Sequence, residues 1–314
     1  YKTNGAQYAY WSYCNGKVWA WNRFGGKFEA YRPYNDQVST VANNTGFDGV
    51  VYHQIEEALG KKFYVIKESL GGAPIDPSCD SWQKGWWYAD AAWMASHNPQ
   101  GDNASLAKEF TNNIGACIDN VLSTLDKGYD IKCIVWHQGC SDRTAAASYK
   151  ENLRTLVNYL RNFIATKTGD AKYLKLPFIC CNINPNSTQY DATVDQAKHE
   201  LAAEMDNFYE VSFADCSLGS DNLHHDAAGN IKGAGRVYDK LVELGLVSTD
   251  VWTASETVDP NPDPDFNDET HVVSVNMNGE WQFLKKNVEQ STLGSQTGWV
   301  SVNLPHTWNA LDGQ

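Results

Sequence analysis

Hydrophobic residues recur along this chain at two spacings, which predict helices alternating with strands. Where apolar residues stand three or four positions apart, as from Leu106 to Leu125, the pattern predicts an amphipathic helix. Short apolar or alternating runs between such segments predict buried strands. The predicted helices cover residues 47–59, 104–125, 149–164, 194–205 and 227–244. The predicted strands cover residues 17–21, 63–66, 131–136, 176–183 and 209–214.

This alternation is typical of the α/β class, in which a parallel sheet is covered by helices on both faces. Loops that follow parallel strands emerge at the same edge of the sheet, where open α/β folds bind their ligands. Three such loops carry polar or glycine residues suited to chemistry: Gly71-Gly72, His137-Gln138 and the segment from Asp221 to His224. We therefore expect these loops to converge on one pocket.

The pattern changes after Val247, which predicts a second region. The sequence DPNPDPD at 259–265 is acidic and rich in proline, a composition that gives a semi-rigid, extended linker. Residues 271–276 then alternate like a strand. We predict a main domain over 1–249, a linker over 250–270 and a short all-β segment over 271–314. Because so few strands cannot close a β-sandwich alone, this segment must pair with something else or remain marginal.

Charge and composition narrow the function. The 314 residues carry a formal net charge of -13, which argues against a nucleic acid or an anionic membrane as partner. No apolar run is long enough to span a bilayer. Twelve tryptophans and 16 tyrosines are suited to sugar-binding surfaces as well as to the core. The chain begins at Tyr1 without an initiator methionine, so we expect a processed chain or an interior piece of a longer polypeptide.

Neither the cysteines nor the histidines indicate a metal. No Cys-x-x-Cys or His-Glu-x-x-His spacing of the kind that holds zinc is present, and we predict no metal and no other cofactor. Four of the eight cysteines fall in loops or just after predicted strands and are the disulfide candidates, with pairing left open: Cys14, Cys79, Cys140 and Cys216.

The segment Asp221-Asn222-Leu223-His224 carries the main candidate for catalysis. A carboxylate three residues before an imidazole can bind one ring nitrogen, which leaves the other nitrogen to accept a proton from a nucleophile. Asp226 is suited to cap the helix that follows. The structural alternative is that Asp221 only caps a turn, and His225 replaces His224 as base if the register is off by one.

Two further loops supply the complementary donors. A backbone N–H at Gly72 and the side-chain amide of Gln138 together would form an oxyanion hole for a tetrahedral intermediate. A plain tight turn and a capping amide are the alternatives, favoured for each residue alone but not for the set. Gly71, Trp136 and His137 flank these donors and are further candidates for substrate contact, with packing or surface exposure as the alternative for His137.

These segments resemble a known family. VWHQGCSD at 135–142 is similar to the Trp-x-Gln-Gly-Glu-Ser-Asp/Asn block of the sialate O-acetylesterase-like carbohydrate esterases, a branch of the SGNH hydrolases. LGGAPI at 70–75 resembles their Gly-Gly-Thr-x-Ile block, and DNLH at 221–224 their last block. The order and spacing fit from about Val18 to Leu246. One departure is Cys140, which stands where the family usually has Glu.

The resemblance implies a three-layer α/β/α sheet of the flavodoxin-like kind and removal of acetyl groups from sugars by a Ser-His-Asp mechanism. In it, His224 is the base, Asp221 its orienter, and Gly72 and Gln138 the oxyanion donors. The family's Gly-Gln-Ser-Asn nucleophile block belongs on the first strand, and nothing between Tyr1 and Lys17 matches it. Ser12, Ser69 and Ser141 are poorly placed, so we predict that the nucleophile lies upstream of Tyr1. The structure should then show an incomplete sheet, or a cleft in which His224 faces an empty slot.

The end of the chain resembles a second family. NGEWQF at 278–283 and WVSVNLPHTWN at 299–309 look like the opening of the sugar-binding β-sandwich of family 2 glycoside hydrolases. We therefore expect a secreted or periplasmic multidomain protein, with further domains of the same polypeptide at both ends.

The predicted function is hydrolysis of O-acetyl esters on a polysaccharide or sialoglycan, with the acetylated carbohydrate as the partner molecule. Two rivals stay open. One is a catalytically silent carbohydrate-binding domain that uses the Trp-rich loops. The other is a metal-dependent hydrolase that uses Asp221, His224, His225 and Asp226.

Overall fold

The computed structural model describes residues 14, 16–31 and 46–247, together with the backbone of 281–283 and 300–302. The chain divides into two compact units, Tyr1–Asn261 and Pro262–Gln314. In the second unit, strand β9 (Trp281–Phe283) pairs antiparallel with β10 (Val300–Val302). The predicted linker at 250–270 and the alternating segment at 271–276 lie outside the described residues.

The described part of the first unit contains six α-helices. They are α1 (Phe47–Leu59), α2 (Ala91–Ser96), α3 (Leu106–Asn120), α4 (Ala146–Thr168), α5 (Ala192–Glu204) and α6 (Ala227–Glu243). Five of them confirm the predicted helices, whereas α2 lies outside the predicted helical ranges. Helix α1 ends at Gly60, which has a φ of 60°.

The described part of this unit contains eight strands, which form three groups. The strands are β1 (Val18–Asn22), β2 (Lys27–Ala30), β3 (Phe63–Val65), β4 (Gly85–Trp86), β5 (Ala104–Ser105), β6 (Ile134–Trp136), β7 (Phe178–Cys181) and β8 (Phe208–Val211). Their orders are β2-β1-β3, β4-β5 and β6-β7-β8. Every pair is parallel except the antiparallel hairpin of β1 with β2.

Strand β7 shows why the sheet needs a helical layer on each face. Its side chains alternate between two apolar clusters: Phe178 and Cys180 join one with residues of α3, α4 and α5, while Ile179 and Cys181 join another with residues of α1 and α6. All four are fully buried. The chain is therefore an α/β protein of helices and parallel strands, as the pattern predicted.

Among the described residues, β6 is an edge strand of the β6-β7-β8 sheet. The Ile134 N–H donates to the Pro177 carbonyl at 2.9 Å, so the backbone groups of the next residue, Val135, face away from β7. No described strand pairs with that edge. Val135 is 38% exposed, whereas its register partner Ile179 is buried at 0%. The edge of β6 opposite β7 is therefore unpaired within the described part of the chain.

None of the four candidate cysteines forms a disulfide, and all eight cysteines are free thiols. The Cys79 Sγ instead accepts a hydrogen bond from the Thr144 hydroxyl at 3.2 Å, and Cys216 is buried beside α6. Desolvation raises the pKa of the Cys140 thiol, which favours its protonated form. None of the described helices combines the length and apolar character needed to cross a membrane.

Candidate functional site

The loop after β3 is fastened to the loop after β6 through one buried carboxylate. Asp142, which is 0% exposed, accepts hydrogen bonds from the backbone N–H groups of Ile75 at 3.0 Å and Asp76 at 2.9 Å. The Gln138 amide donates to the same carboxylate at 2.5 Å and to the Ala73 carbonyl at 3.1 Å. Asp142 thus holds the glycine loop against the Gln138 loop.

A second set of bonds connects the loops after β6, β7 and β8. The Arg143 guanidinium donates to the Thr188 carbonyl at 3.0 Å, and the Thr188 N–H donates to the Asn222 carbonyl at 2.8 Å. The Asn184 amide also reaches the Cys216 carbonyl at 2.6 Å. The loops that were predicted to converge are therefore linked in one continuous hydrogen-bonded chain from Ile75 to Asn222.

Asp221 and His224 form a close pair on the loop after β8. The Asp221 Oδ2 lies 2.7 Å from the His224 Nδ1, and the Asp221 Oδ1 accepts the N–H groups of Leu223 and His224, both at 3.0 Å. These bonds hold the pKa of Asp221 well below its usual range, so the carboxylate is ionised at neutral pH. Asn222 reverses the chain between them with a φ of 51°.

The imidazole of this pair is accessible. The side chain of His224 is 73% exposed, and that of Asp221 is 51% exposed. Since Nδ1 is bonded to the carboxylate, Nε2 is the nitrogen left to exchange a proton. The Gly219 N–H donates to the His224 carbonyl at 2.7 Å, which fixes the loop backbone from the other side. The arrangement can orient a general base toward solvent.

The neighbouring imidazoles lie in a different environment. The His137 ring stacks on Phe213 with 5.1 Å between centroids and lies 5.9 Å from the His225 ring. Desolvation and the nearby charges of Lys198 and His225 lower the pKa of His137 to about 3, although part of the residue stays exposed. Desolvation also lowers the pKa of His225. These lowered pKa values favour the neutral form of both rings at pH 7. His137 packs on Phe213 and is nevertheless exposed to solvent.

The two predicted oxyanion donors differ in whether their N–H groups are already hydrogen-bonded. The N–H of Gly72 has no acceptor among the described residues, and the glycine has a φ of 70°. Both amide hydrogens of Gln138, in contrast, are donated to Ala73 and Asp142, and its Oε1 lies 3.2 Å from the Tyr149 hydroxyl. Gln138 would have to release one of these bonds before it could donate to a substrate.

Two of the predicted substrate contacts are placed very differently. Gly71 is exposed, and its carbonyl accepts the Gln83 side-chain amide at 3.3 Å. Trp136 is 7% exposed and packs edge-to-face on Trp87 with 5.0 Å between ring centroids. The ring of Trp136 belongs to the core, so in this conformation it cannot stack on a sugar.

Sequence reasoning missed a buried lysine beneath the Gln138 loop. Lys198 of α5 is 0% exposed, and its Nζ donates to the carbonyls of Gln138 at 2.7 Å and Cys181 at 2.8 Å. It fixes the peptide that leads into Gly139, where a Cβ would meet Ile183 and Val194 at 2.9 Å. The helical pattern of α5 gave no signal for this role, because the partners lie 60 and 17 residues away.

The side chains of the four residues in the metal-hydrolase alternative do not converge on one point. Asp226 caps α6 by accepting the Gly229 N–H at 2.7 Å, as predicted, and also accepts the Ser217 hydroxyl. Within the described part of the chain, the group whose ligand atoms all approach within 4.8 Å of one another is a different one, formed by Cys14, His53 and Glu56.

A parallel sheet whose joined loops present a carboxylate-bound imidazole and a free glycine N–H has the parts of a hydrolase of the α/β class. The family model "Carbohydrate esterase, sialic acid-specific acetylesterase" matches residues 66–243, more than half of the 314 residues. The chain belongs to this family, and the matched region contains all three loops.

Two solved structures resemble the fold at low sequence identity. A protein from Arabidopsis thaliana is 16% identical with a TM-score of 0.52, over 77% of this chain and 85% of that one. A carbohydrate acetylesterase from Xanthomonas citri is 14% identical with a TM-score of 0.50, over 77% of this chain and 52% of that one. At these identities the likeness shows the fold alone.

A short sequence match points to a second kind of protein. Over 38 residues the chain is 50% identical to the "Putative beta-glucuronidase" of Formosa agariphila. The matching residues make up 12% of this chain and 5% of that protein. So short a match gives only a slight indication of the predicted family 2 glycoside hydrolase segment.

Proposed function

We propose that this chain provides the base, the orienting carboxylate and the binding surface of a carbohydrate O-acetylesterase of the SGNH type. The observation that carries the proposal is the 2.7 Å contact between Asp221 Oδ2 and His224 Nδ1 on an exposed loop. Membership of a carbohydrate esterase family supports an acetylated sugar as substrate.

In the proposed reaction, the Nε2 of His224 takes the proton of a serine hydroxyl while the serine oxygen attacks the acetyl carbonyl carbon. The resulting oxyanion accepts the Gly72 N–H, with the Gln138 amide as a second donor once it leaves Ala73 or Asp142. The C–O bond to the sugar then breaks, and His224 returns the proton to the sugar oxygen. Water attacks the acetyl-serine in the same way and releases acetate.

We propose that the serine is carried by a further parallel strand that pairs with the open edge of β6. We infer that none of Ser12, Ser69 and Ser141 is the nucleophile. Ser12 lies outside the described residues, and Ser69 precedes the glycine loop. Ser141 lies in the 3₁₀ turn Cys140–Ala145, on the loop that already holds Asp142. A strand beside Val135 would deliver its carboxyl end to the edge where the three loops meet.

The test compares acetate release from a partially O-acetylated oligosaccharide and from an aryl acetate. The chain Tyr1–Gln314 should show at most the residual rate that binding and oxyanion donors alone provide. A polypeptide extended upstream should turn over fully and should lose about 10³-fold or more on His224→Ala. Full activity of Tyr1–Gln314, abolished by Ser12→Ala, Ser69→Ala or Ser141→Ala, would refute the upstream nucleophile.

His199 offers a matched control for His224. It is a half-exposed imidazole whose Nδ1 contacts the Glu210 carboxylate at 2.5 Å, on α5 rather than on the site loop. His199→Ala should leave turnover unchanged. Hydrolysis that survives EDTA would exclude the metal-dependent alternative, and glycan binding without acetate release by the extended polypeptide would favour the silent binding domain.

A further inference from the structure

One tryptophan stands apart from the other described ones. Trp82 is 82% exposed. Five others are at most 9% exposed, and Trp93 stacks on His97 with 3.8 Å between ring centroids. An indole is a large apolar surface that folding tends to bury, so a ring left almost fully in water suggests a ligand.

The exposed ring lies directly against the proposed oxyanion glycine. A Cβ added to Gly72 would meet the Trp82 Cβ at 2.9 Å and the ring atom Cε3 at 3.9 Å. The Trp82 N–H also donates to the Gly72 carbonyl at 3.3 Å. Only glycine leaves room for this contact, so the position of the indole and that of the Gly72 N–H are fixed together.

The loop that carries Trp82 is held from within. The Ser81 hydroxyl donates to the Gly85 carbonyl at 2.7 Å and accepts the Gly85 N–H at 2.9 Å. The Trp86 indole N–H donates to the Cys79 carbonyl at 3.0 Å. Gln83, beside the ring, keeps its side chain exposed while reaching the Gly71 carbonyl at 3.3 Å. These bonds hold the loop in one conformation, so a ligand that binds there has little loop backbone to order.

We propose that Trp82 is a stacking platform for the apolar face of a pyranose ring, with the Gln83 amide as a polar contact to its hydroxyl groups. The inference rests on the proposed function for its choice of ligand. It places the sugar on the Trp82 side of Gly72, so that an acetyl group on that sugar extends across the glycine toward the His224 loop.

The test measures binding, which does not require turnover. Xylotetraose and sialyllactose, each with and without O-acetyl groups, are titrated into the chain Tyr1–Gln314 by calorimetry and tryptophan fluorescence. At least one should bind, and Trp82→Ala should weaken it by about tenfold or more, whereas Trp82→Phe should retain most of the affinity. Phe24→Ala, which removes a 70% exposed ring elsewhere, should bind like the unmodified chain.

The two proposals fail in different ways. Unchanged affinity in Trp82→Ala, or no binding by any of the four sugars, overturns the platform whatever the esterase assay shows. Turnover that survives His224→Ala in the extended polypeptide overturns the proposed mechanism but leaves the binding result standing. Circular dichroism of Trp82→Ala checks that a loss of affinity does not come from unfolding.

Discussion

At the scale of single residues, two carboxylates near the site have opposite environments. Asp221 is half-exposed, and its hydrogen bonds keep its pKa low. Asp142 is buried, and desolvation raises its pKa despite the hydrogen bonds from Asp76, Gln138 and Ile75. The exposed carboxylate is suited to orient a base, and the buried one to hold two loops together.

The role of Asp142 can be tested by stability. Asp142→Ala leaves the Ile75 and Asp76 N–H groups and one Gln138 hydrogen without their acceptor, which should cost about 3 kcal/mol or more in unfolding free energy. Urea unfolding measures this cost. Asp206→Ala, which removes a 74% exposed carboxylate paired with Lys175, should change stability by about 0.5 kcal/mol or less. Equal effects in the two variants would rule out the clamp.

A buried acidic cluster predicts a pH dependence of stability. Desolvation and repulsion by Glu109 raise the pKa of Glu68 from 4.5 to about 7, against the attraction of Arg23. The folded chain therefore holds a proton that the unfolded chain releases between these values. It follows that stability falls as the pH rises through this window, by on the order of 3 kcal/mol.

Glu68→Gln should reduce that slope and make the protein more stable than the unmodified chain at pH 8. Urea unfolding at pH 5 and pH 8 measures both quantities. Glu151→Gln changes a 70% exposed carboxylate and should leave the slope unaltered. An unchanged slope in Glu68→Gln would mean that another group controls the pH dependence of stability.

At the scale of elements, β6 is the strand with which we propose that the serine-bearing strand pairs. Its two sides differ, because β7 pairs one edge and no described strand pairs the other. The edge of a parallel strand is usually paired with another strand or covered by a helix or loop.

Hydrogen exchange of backbone amides can distinguish the two edges of β6. The Val135 amide should exchange much faster than the Ile134 amide, which is bonded to Pro177 in the same strand. In an upstream-extended polypeptide, protection of Val135 should rise by at least about tenfold, while Ile134 stays as it was. Unchanged exchange at Val135 would show that the serine strand does not pair there.

At the scale of the whole molecule, the two compact units predict independent stability. A chain that ends after Asn261 should melt within about 2 °C of Tyr1–Gln314 by calorimetry, because the core clusters of the first unit lie before that residue. A large drop in melting temperature would mean that Pro262–Gln314 contributes to folding of the first unit.

The sequence by itself determined the parts that depend on neighbouring residues. Apolar periodicity located five helices and the strands between them, since side chains three or four apart share a helix face. The Asp221–His224 contact was predictable for the same reason, because the partners are three residues apart on one loop. The Asp226 cap likewise needs only the start of its own helix.

Tertiary structure alone decided the rest. Gln138 is bound by Ala73, 65 residues away, and Asp142 by Ile75, 67 residues away, which no local pattern could reveal. Trp136 is buried whereas Trp82 is exposed, although both are tryptophans near a predicted site loop. Whether a donor is free, a ring is exposed or a strand edge is open depends on which distant segments pack against it, and that is a property of the folded chain.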